Sequence, residues 1–248
     1  MPRYFLEVAY LGTGFSGFQV QPHARTIQSE VERALRVLYR RPVELTGSSR
    51  TDAGVHALQN YFHFDWEPAF DQRSVYNLNA LLPPSVVVKS VREVHPGAHC
   101  RFHALSRSYR YTVYQYKDPF LNDRGWYFPY QLDREVLLEL AALVPGHTSF
   151  HSFSKRNTQV RTYECRIYAS GWAFGSSVLE YRVSGNRFLR GMVRGLVGSM
   201  LRVARGNGTV EGFRGLLQQT ELAGADFSAP ACGLVLEAVE FDPGVFLS

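Results

Sequence analysis

Lysine is scarce in this 248-residue chain, occurring only at Lys89, Lys117 and Lys155, and cysteine is limited to Cys100, Cys165 and Cys232. Three widely separated cysteines with no C-x-x-C pair argue against a disulfide framework and a structural zinc site, and they fit a reducing, cytoplasmic compartment. No run approaches the roughly 18 consecutive apolar residues of a membrane span. The first ten residues include Glu7 and lack a long apolar run ending in a cleavage site, so no signal-peptide pattern is expected there. Low-complexity tracts and short-period repeats are missing too. Apolar residues make up 45% of the chain and charged residues 20%, which leaves a soluble globular protein of one large domain or two small ones sharing a core.

Arginine and aromatic side chains are what the chain has in excess. Lys plus Arg totals 27 against 22 for Asp plus Glu, a net charge of +5, and nearly all of the positive charge is arginine. The planar guanidinium fork suits phosphates and base edges better than a lysine point charge does, so the balance points to a phosphate-rich partner. With 17 Phe, 14 Tyr and 3 Trp, there are more rings than a core of this size needs, leaving some for stacking on a ligand.

Alternation predicts strands over 3–11, 55–66, 86–94 and 108–116, a hairpin-like pair over 162–169 and 177–183 joined through Gly171 and Gly175, and a last strand over 234–241. A helix is expected from Thr26, which serves as N-cap ahead of Ile27, Val31, Leu35 and Leu38, with Glu30 and Glu32 near the positive end of its dipole. Further helices are expected over 72–82, 133–144, 187–203 and 210–219. The mixture reads as α+β, with a largely antiparallel central sheet flanked by helices and two similar α/β halves, 1–104 and 105–248, joined near residues 99–106.

Gly12, Gly14 and Gly17 spell G-x-G-x-x-G after a predicted strand, the dinucleotide-binding fingerprint of an oxidoreductase, but eight residues including Pro22 separate Gly17 from the helix start, so a plain turn is the better reading. His99 with His103 and His147 with His151 have i, i+4 spacing. Neither pair lies in a helical pattern or carries the H-E-x-x-H glutamate, so no metal is expected. Gly47-Ser48-Ser49-Arg50-Thr51-Asp52-Ala53-Gly54-Val55-His56-Ala57 says more. Small residues let a backbone approach a ligand, and in an extended segment Arg50 and Asp52 point the same way. A carboxylate beside a guanidinium stays ionised at neutral pH, as a nucleophile or base requires. The same spacing also suits a surface Arg–Asp pair in a tight turn.

Arg187, Arg190, Arg194 and Arg205 fall near one face of the predicted long helix, opposite Leu189, Met192, Val193, Leu196 and Met200, which reads as a footprint for a polyanion or as a solvated face. Arg107, Tyr109, Arg110, Tyr111 and Tyr114 interleave basic and aromatic groups on a strand, the chemistry for stacking a base beside a phosphate.

These residues resemble the TruA-type tRNA pseudouridine synthases from Tyr4 to Phe241. The most specific element is Arg50-Thr51-Asp52-Ala53-Gly54-Val55-His56-Ala57, which looks like the family's catalytic signature. Gly12-Thr13-Gly14-Phe15-Ser16-Gly17, Phe102-His103-Ala104 with Tyr109-Arg110-Tyr111, and Phe188 with Met192-Val193-Arg194 and Gly198 support it in order. Ser49 stands where glycine is usual, and Leu11 and Phe18 where aspartate and tryptophan are usual.

The resemblance implies the pseudouridine synthase fold and an isomerase that converts uridine to pseudouridine at positions 38, 39 and 40 of the tRNA anticodon stem-loop. It implies a cytoplasmic homodimer with no metal, no cofactor, no membrane and no DNA partner. It makes Asp52 the nucleophile, Arg50 its partner and Arg194 a neighbour of the Asp52 carboxylate, with Tyr109 packed against the target uracil. Arg107, Arg110, Arg187 and Arg190 are expected to bind substrate. Rival readings are an RNA-binding module in which Asp52 merely pins Arg50, and the dinucleotide-binding oxidoreductase.

Overall fold

Arg3–Tyr10 forms β1 in a computed structural model that describes residues 1–155, 161–219 and 224–247. The chain divides into two units, Met1–Ser106 with Leu236–Ser248, and Arg107–Val235. In the first, β1 is flanked by antiparallel partners, β3 (His56–Asp65) and β4 (Val86–Val94), with Leu6 opposite Phe62 and Val91. The short β2 (Thr46–Gly47) pairs with β3, and the order of the longer strands is β4-β1-β3-β9, where β9 is Leu234–Phe241. Covered on both sides, β1 buries Tyr4, Phe5, Leu6, Val8 and Tyr10.

Helix α1 (Ile27–Tyr39) starts as its sequence predicts. Thr26 and Ser29 exchange backbone-to-hydroxyl hydrogen bonds in a capping box, and Ile27, Val31, Ala34 and Leu35 form the buried stripe. Each such side chain contributes about 1.5–3 kcal/mol by leaving water. Helix α2 (Ser74–Leu81) stops just ahead of Pro83 and Pro84.

In the second unit β5 (Ala104–Tyr114) pairs antiparallel with β8 (Val178–Gly185), which pairs antiparallel with β7 (Ile167–Phe174), while β6 (Trp126–Tyr127) runs parallel to β5. Helices α3 (Arg134–Leu143) and α5 (Val210–Gln218) pack against α4 (Met192–Ala204), a helix buried over nearly its whole circumference. The fold is α+β with largely antiparallel strand pairing and five flanking α-helices among the described residues.

Three expectations change. The long helix starts at Met192 and not at Arg187, because Gly191 sits at φ +75°, a left-handed conformation that stops helical hydrogen bonding ahead of it. β7 begins later than expected, at Ile167, and runs through Gly171; the reversal falls at Gly175, whose N–H donates to Val178 O at 2.8 Å. The two units divide at 106/107, and residues 236–248 belong with the N-terminal one, whereas the tail was expected in the 105–248 half.

Candidate active site

In the first unit the segment after β2 is fixed from three sides before it reaches Asp52. Ser48 donates its N–H to Tyr61 O at 2.8 Å and its hydroxyl to Cys100 O at 2.7 Å. Asn60, fully buried on β3, accepts the Ser49 N–H at 3.2 Å and donates to Ser49 O at 2.8 Å and to the Tyr10 hydroxyl at 3.0 Å. The Tyr10 hydroxyl is in turn 2.8 Å from Thr51 Oγ1. Asp52 then opens a turn in which the Val55 N–H donates to Asp52 O at 3.1 Å and Gly54 takes φ +81° at the third position, the conformation that calls for glycine. Asp52 is half-buried and Arg50 is exposed.

The glycine motif packs against this turn. A Cβ on Gly12 would lie 2.0 Å from Val55 O, and one on Gly17 3.1 Å from Thr51 O. The Gly12 N–H donates to His56 Nδ1 at 2.9 Å, and the Phe18 N–H to Thr51 O at 3.1 Å. Phe18 stacks on Phe62 with centroids 4.5 Å apart and planes within 9°. The first amides of α1 are engaged within the protein. Ile27 and Gln28 donate to Gly17 O and Phe18 O at 3.1 and 2.9 Å, Ser29 to Thr26 Oγ1 at 3.1 Å and Glu30 to Thr26 O at 3.2 Å. A pyrophosphate would need those amides. The glycines serve a close passage of two backbones, which removes the physical basis of the oxidoreductase reading.

Beside Arg50 lies a pocket of about 340 Å³ lined by Gln19, Gln28, Arg50, His99, Arg101 and Phe102. Phe102 is 72% exposed, with its ring 4.2 Å from the His99 ring, centroid to centroid, and the Arg101 guanidinium 5.7 Å away.

In the second unit Tyr109 on β5 is half-buried and meets Phe188 edge-on, with centroids 5.1 Å apart. Tyr111, two residues along on the same face, is fully buried with its hydroxyl on Pro230 O at 2.8 Å. Tyr114 is buried as well, so of the three strand tyrosines Tyr109 alone keeps a partly open ring. Arg107 is buried and donates from Nη1 to Asn186 O at 2.7 Å, and Arg110 pairs with Glu180 at 2.8 Å. Both are engaged inside the sheet.

The four arginines expected on one helix face do not share one. Arg187 and Arg190 precede the helix; Arg187 is half-buried and Arg190 exposed. Arg205 is the C-cap of α4, its guanidinium 3.3 Å from the Tyr130 ring centroid. Arg194 lies in the first turn of α4 and donates from Nε to Ala229 O at 2.7 Å. A cation there faces the positive end of the helix dipole, an unfavourable placement of about 0.3–1 kcal/mol that an ordinary surface helix avoids. Apolar periodicity from Leu189 to Met200 hid this break. Tyr10, Ser48 and Asn60, which hold the Asp52 segment, have no local sequence signal at all.

A family model described as tRNA pseudouridine synthase matches residues 140–242, the part that carries Arg187, Arg190 and Arg194. tRNA pseudouridine synthase A of Parabacteroides distasonis is 39% identical over 99% of this chain and 98% of its own length. The proteins of the same description from Bacteroides thetaiotaomicron and Staphylococcus saprophyticus are 41% and 37% identical, over 99% and 97% of this chain and 93% and 91% of their own lengths. The chain belongs to the tRNA pseudouridine synthase A family, a family of isomerases.

Proposed function

We propose that the chain isomerises uridine to pseudouridine at positions 38, 39 and 40 of the tRNA anticodon stem-loop, with Asp52 as the nucleophile. What carries this reading is a half-buried carboxylate in a turn whose backbone is anchored through Thr51, Ser49 and the glycine loop. The reaction breaks the bond from ribose C1′ to uracil N1, joins C1′ to C5, protonates N1 and releases the C5 hydrogen as a proton. Electrons balance within the nucleotide, so one ionised, well-placed carboxylate is the group the chemistry asks for.

The target base must leave its stack, which costs a few kcal/mol, least where pairing is already weak. Exposed Arg50, beside a pocket and an exposed Phe102, is suited to fill the vacated space, and the partly open ring of Tyr109 is suited to receive the uracil. Exposed Arg190 and half-buried Arg187 are the proposed phosphate contacts. Arg107 and Arg110 act on substrate through the strand they brace, Arg107 by holding the carbonyl of Asn186 beside Tyr109 and Phe188. Arg194 keeps the carboxylate-holding role that the resemblance gives it. The proposed working form is a cytoplasmic homodimer; no described helix is long and apolar enough to cross a membrane.

The test uses a tRNA transcript labelled with tritium at C5 of uridine. Release of label from positions 38 to 40, and none from a transcript with cytidine there, is expected. A folded protein that binds the transcript without releasing label would leave only the RNA-binding module.

A further inference from the structure

Behind the Asp52 segment, the first unit brings together three side chains that the histidine spacing did not connect. His63 on β3, His99 and Cys100 each offer a ligand atom, and these atoms all lie within 4.8 Å of one another. His63 Nδ1 is 3.2 Å from Cys100 Sγ, and the two imidazole centroids are 4.5 Å apart. In a tetrahedral zinc site, Zn–S of about 2.3 Å and Zn–N of about 2.0–2.1 Å put sulfur and nitrogen roughly 3.5 Å apart, so the existing pair already spans nearly one edge.

From this geometry we infer that the chain has a binding site for a borderline-soft divalent cation of the zinc class, with His63, His99 and Cys100 as ligands and water in the fourth position. Water has a route from either side. His63 lines a pocket of about 370 Å³ and His99 the one of about 340 Å³ beside Arg50, and Thr46 borders both. Metal binding uses neutral imidazoles, so the charge of Arg3, which lines the same pocket as His63, matters. Arg3 is itself neutralised by a two-pronged pair with Asp65, at 2.7 and 2.8 Å, and its Nη1 fixes Ala98 O at 3.0 Å, two residues before the thiol.

Binding moves one proton. The Cys100 thiol, now 3.2 Å from Thr46 O, loses its hydrogen to solvent as the sulfur–metal bond forms. His99 Nδ1 now accepts the Arg101 N–H at 3.1 Å, so ligation through either ring nitrogen gives up that bond. The ion therefore exchanges a local tie at Arg101 for a tie between β3 and the carbonyl-bearing residue on which the Ser48 hydroxyl rests.

Metal-stripped protein titrated with Co²⁺ tests this directly. One equivalent per chain should bind with a thiolate-to-cobalt charge-transfer band that Zn²⁺ displaces. The band should vanish in Cys100→Ala and persist in Cys232→Ala. Since Cys100 is buried, His99→Gln, at a half-exposed position, serves as a second variant and should bind at least tenfold more weakly. Zn²⁺ should raise the wild-type melting temperature and leave that of His99→Gln nearly unchanged. No charge-transfer band in the stripped protein, a band that survives Cys100→Ala, or wild-type affinity in His99→Gln would overturn the assignment.

Discussion

A side chain on Gly12 would place its Cβ 2.0 Å from the carbonyl oxygen of Val55, so the end of β1 and the start of β3 pass backbone against backbone immediately after Asp52. The obstacle is main chain, which cannot rotate aside as a side chain can. The carboxylate's position thus depends on a residue forty positions away in sequence that contributes no functional group of its own.

Gly12→Ala should therefore cost about 3 kcal/mol through overpacking. Turnover should fall by about a hundredfold, since a displacement near 1 Å at a reacting group has that effect. Gly171→Ala is the control, because nothing lies within 4 Å of its Cβ and it sits inside β7. It should be neutral or stabilising by up to about 1 kcal/mol. Thermal melts and single-turnover rates on both variants decide the matter, and wild-type values for Gly12→Ala would refute the close-passage account.

Asp52→Asn should abolish tritium release while changing tRNA affinity by less than about tenfold, or roughly 1.4 kcal/mol. If Asp52 is the nucleophile, its carboxylate stands close to an RNA whose phosphates repel it, so its loss should not weaken binding. Retained release from the purified variant would remove Asp52 from the chemistry.

Sequence reading found what is encoded locally. The α1 cap at Thr26 and the β4 and β9 bounds depend on neighbouring residues, and all are present. It failed where distant contacts decide. The glycine trio has the same letters in a flexible turn as in a close passage, and only Val55 and Thr51 distinguish the two. Leu189, Met192, Val193 and Leu196 keep helical spacing straight through Gly191, so the pattern could not show where α4 begins. Cys100 gains His63 as a neighbour only once β3 and the 98–103 turn are folded together.

Acid should weaken the α1 end of the first unit through Glu30. Burial would push this carboxyl up, but hydrogen bonds from Arg25 and Arg33 more than offset it and hold it below its ordinary 4.5. A depressed carboxyl adds stability that is complete above about 4.5 and disappears as pH falls through the lower folded value. Glu30→Gln should cost about 1 kcal/mol at pH 7 and little near pH 3. Melting curves of the two proteins should converge in acid; a constant gap would show that the charge is irrelevant.

Two arginines expected to bind substrate should separate by experiment. Exposed Arg190 should act on phosphate, so Arg190→Ala should weaken tRNA binding and lower the salt slope by about one. Arg107→Ala should instead lower stability by about 2 kcal/mol, since it strips a donor from the Asn186 carbonyl just past the end of β8, and leave the salt slope unchanged. Salt titrations of affinity together with melts separate the two; a reduced slope in Arg107→Ala would return it to the phosphate contacts.

Arg194 poses a sharper question, because its place in the first turn of α4 is electrostatically wrong for a helix and its Nε is committed to Ala229 O at 2.7 Å. A residue kept there against the dipole has work that a phosphate contact on a solvated face would not require. If that work is to hold a carboxylate with a planar fork, lysine cannot do it, since its ammonium is a point charge with no paired donors. Arg194→Lys should then retain tRNA affinity and its salt dependence and melt within about 3 kcal/mol of wild type, because the charge is kept and the charge-assisted hydrogen bond to Ala229 O is lost. Single-turnover isomerisation should nevertheless fall by a hundredfold or more, about 2.7 kcal/mol of transition-state stabilisation. The contrary pattern, a wild-type single-turnover rate with binding that collapses at moderate salt, would make Arg194 a phosphate contact like Arg190.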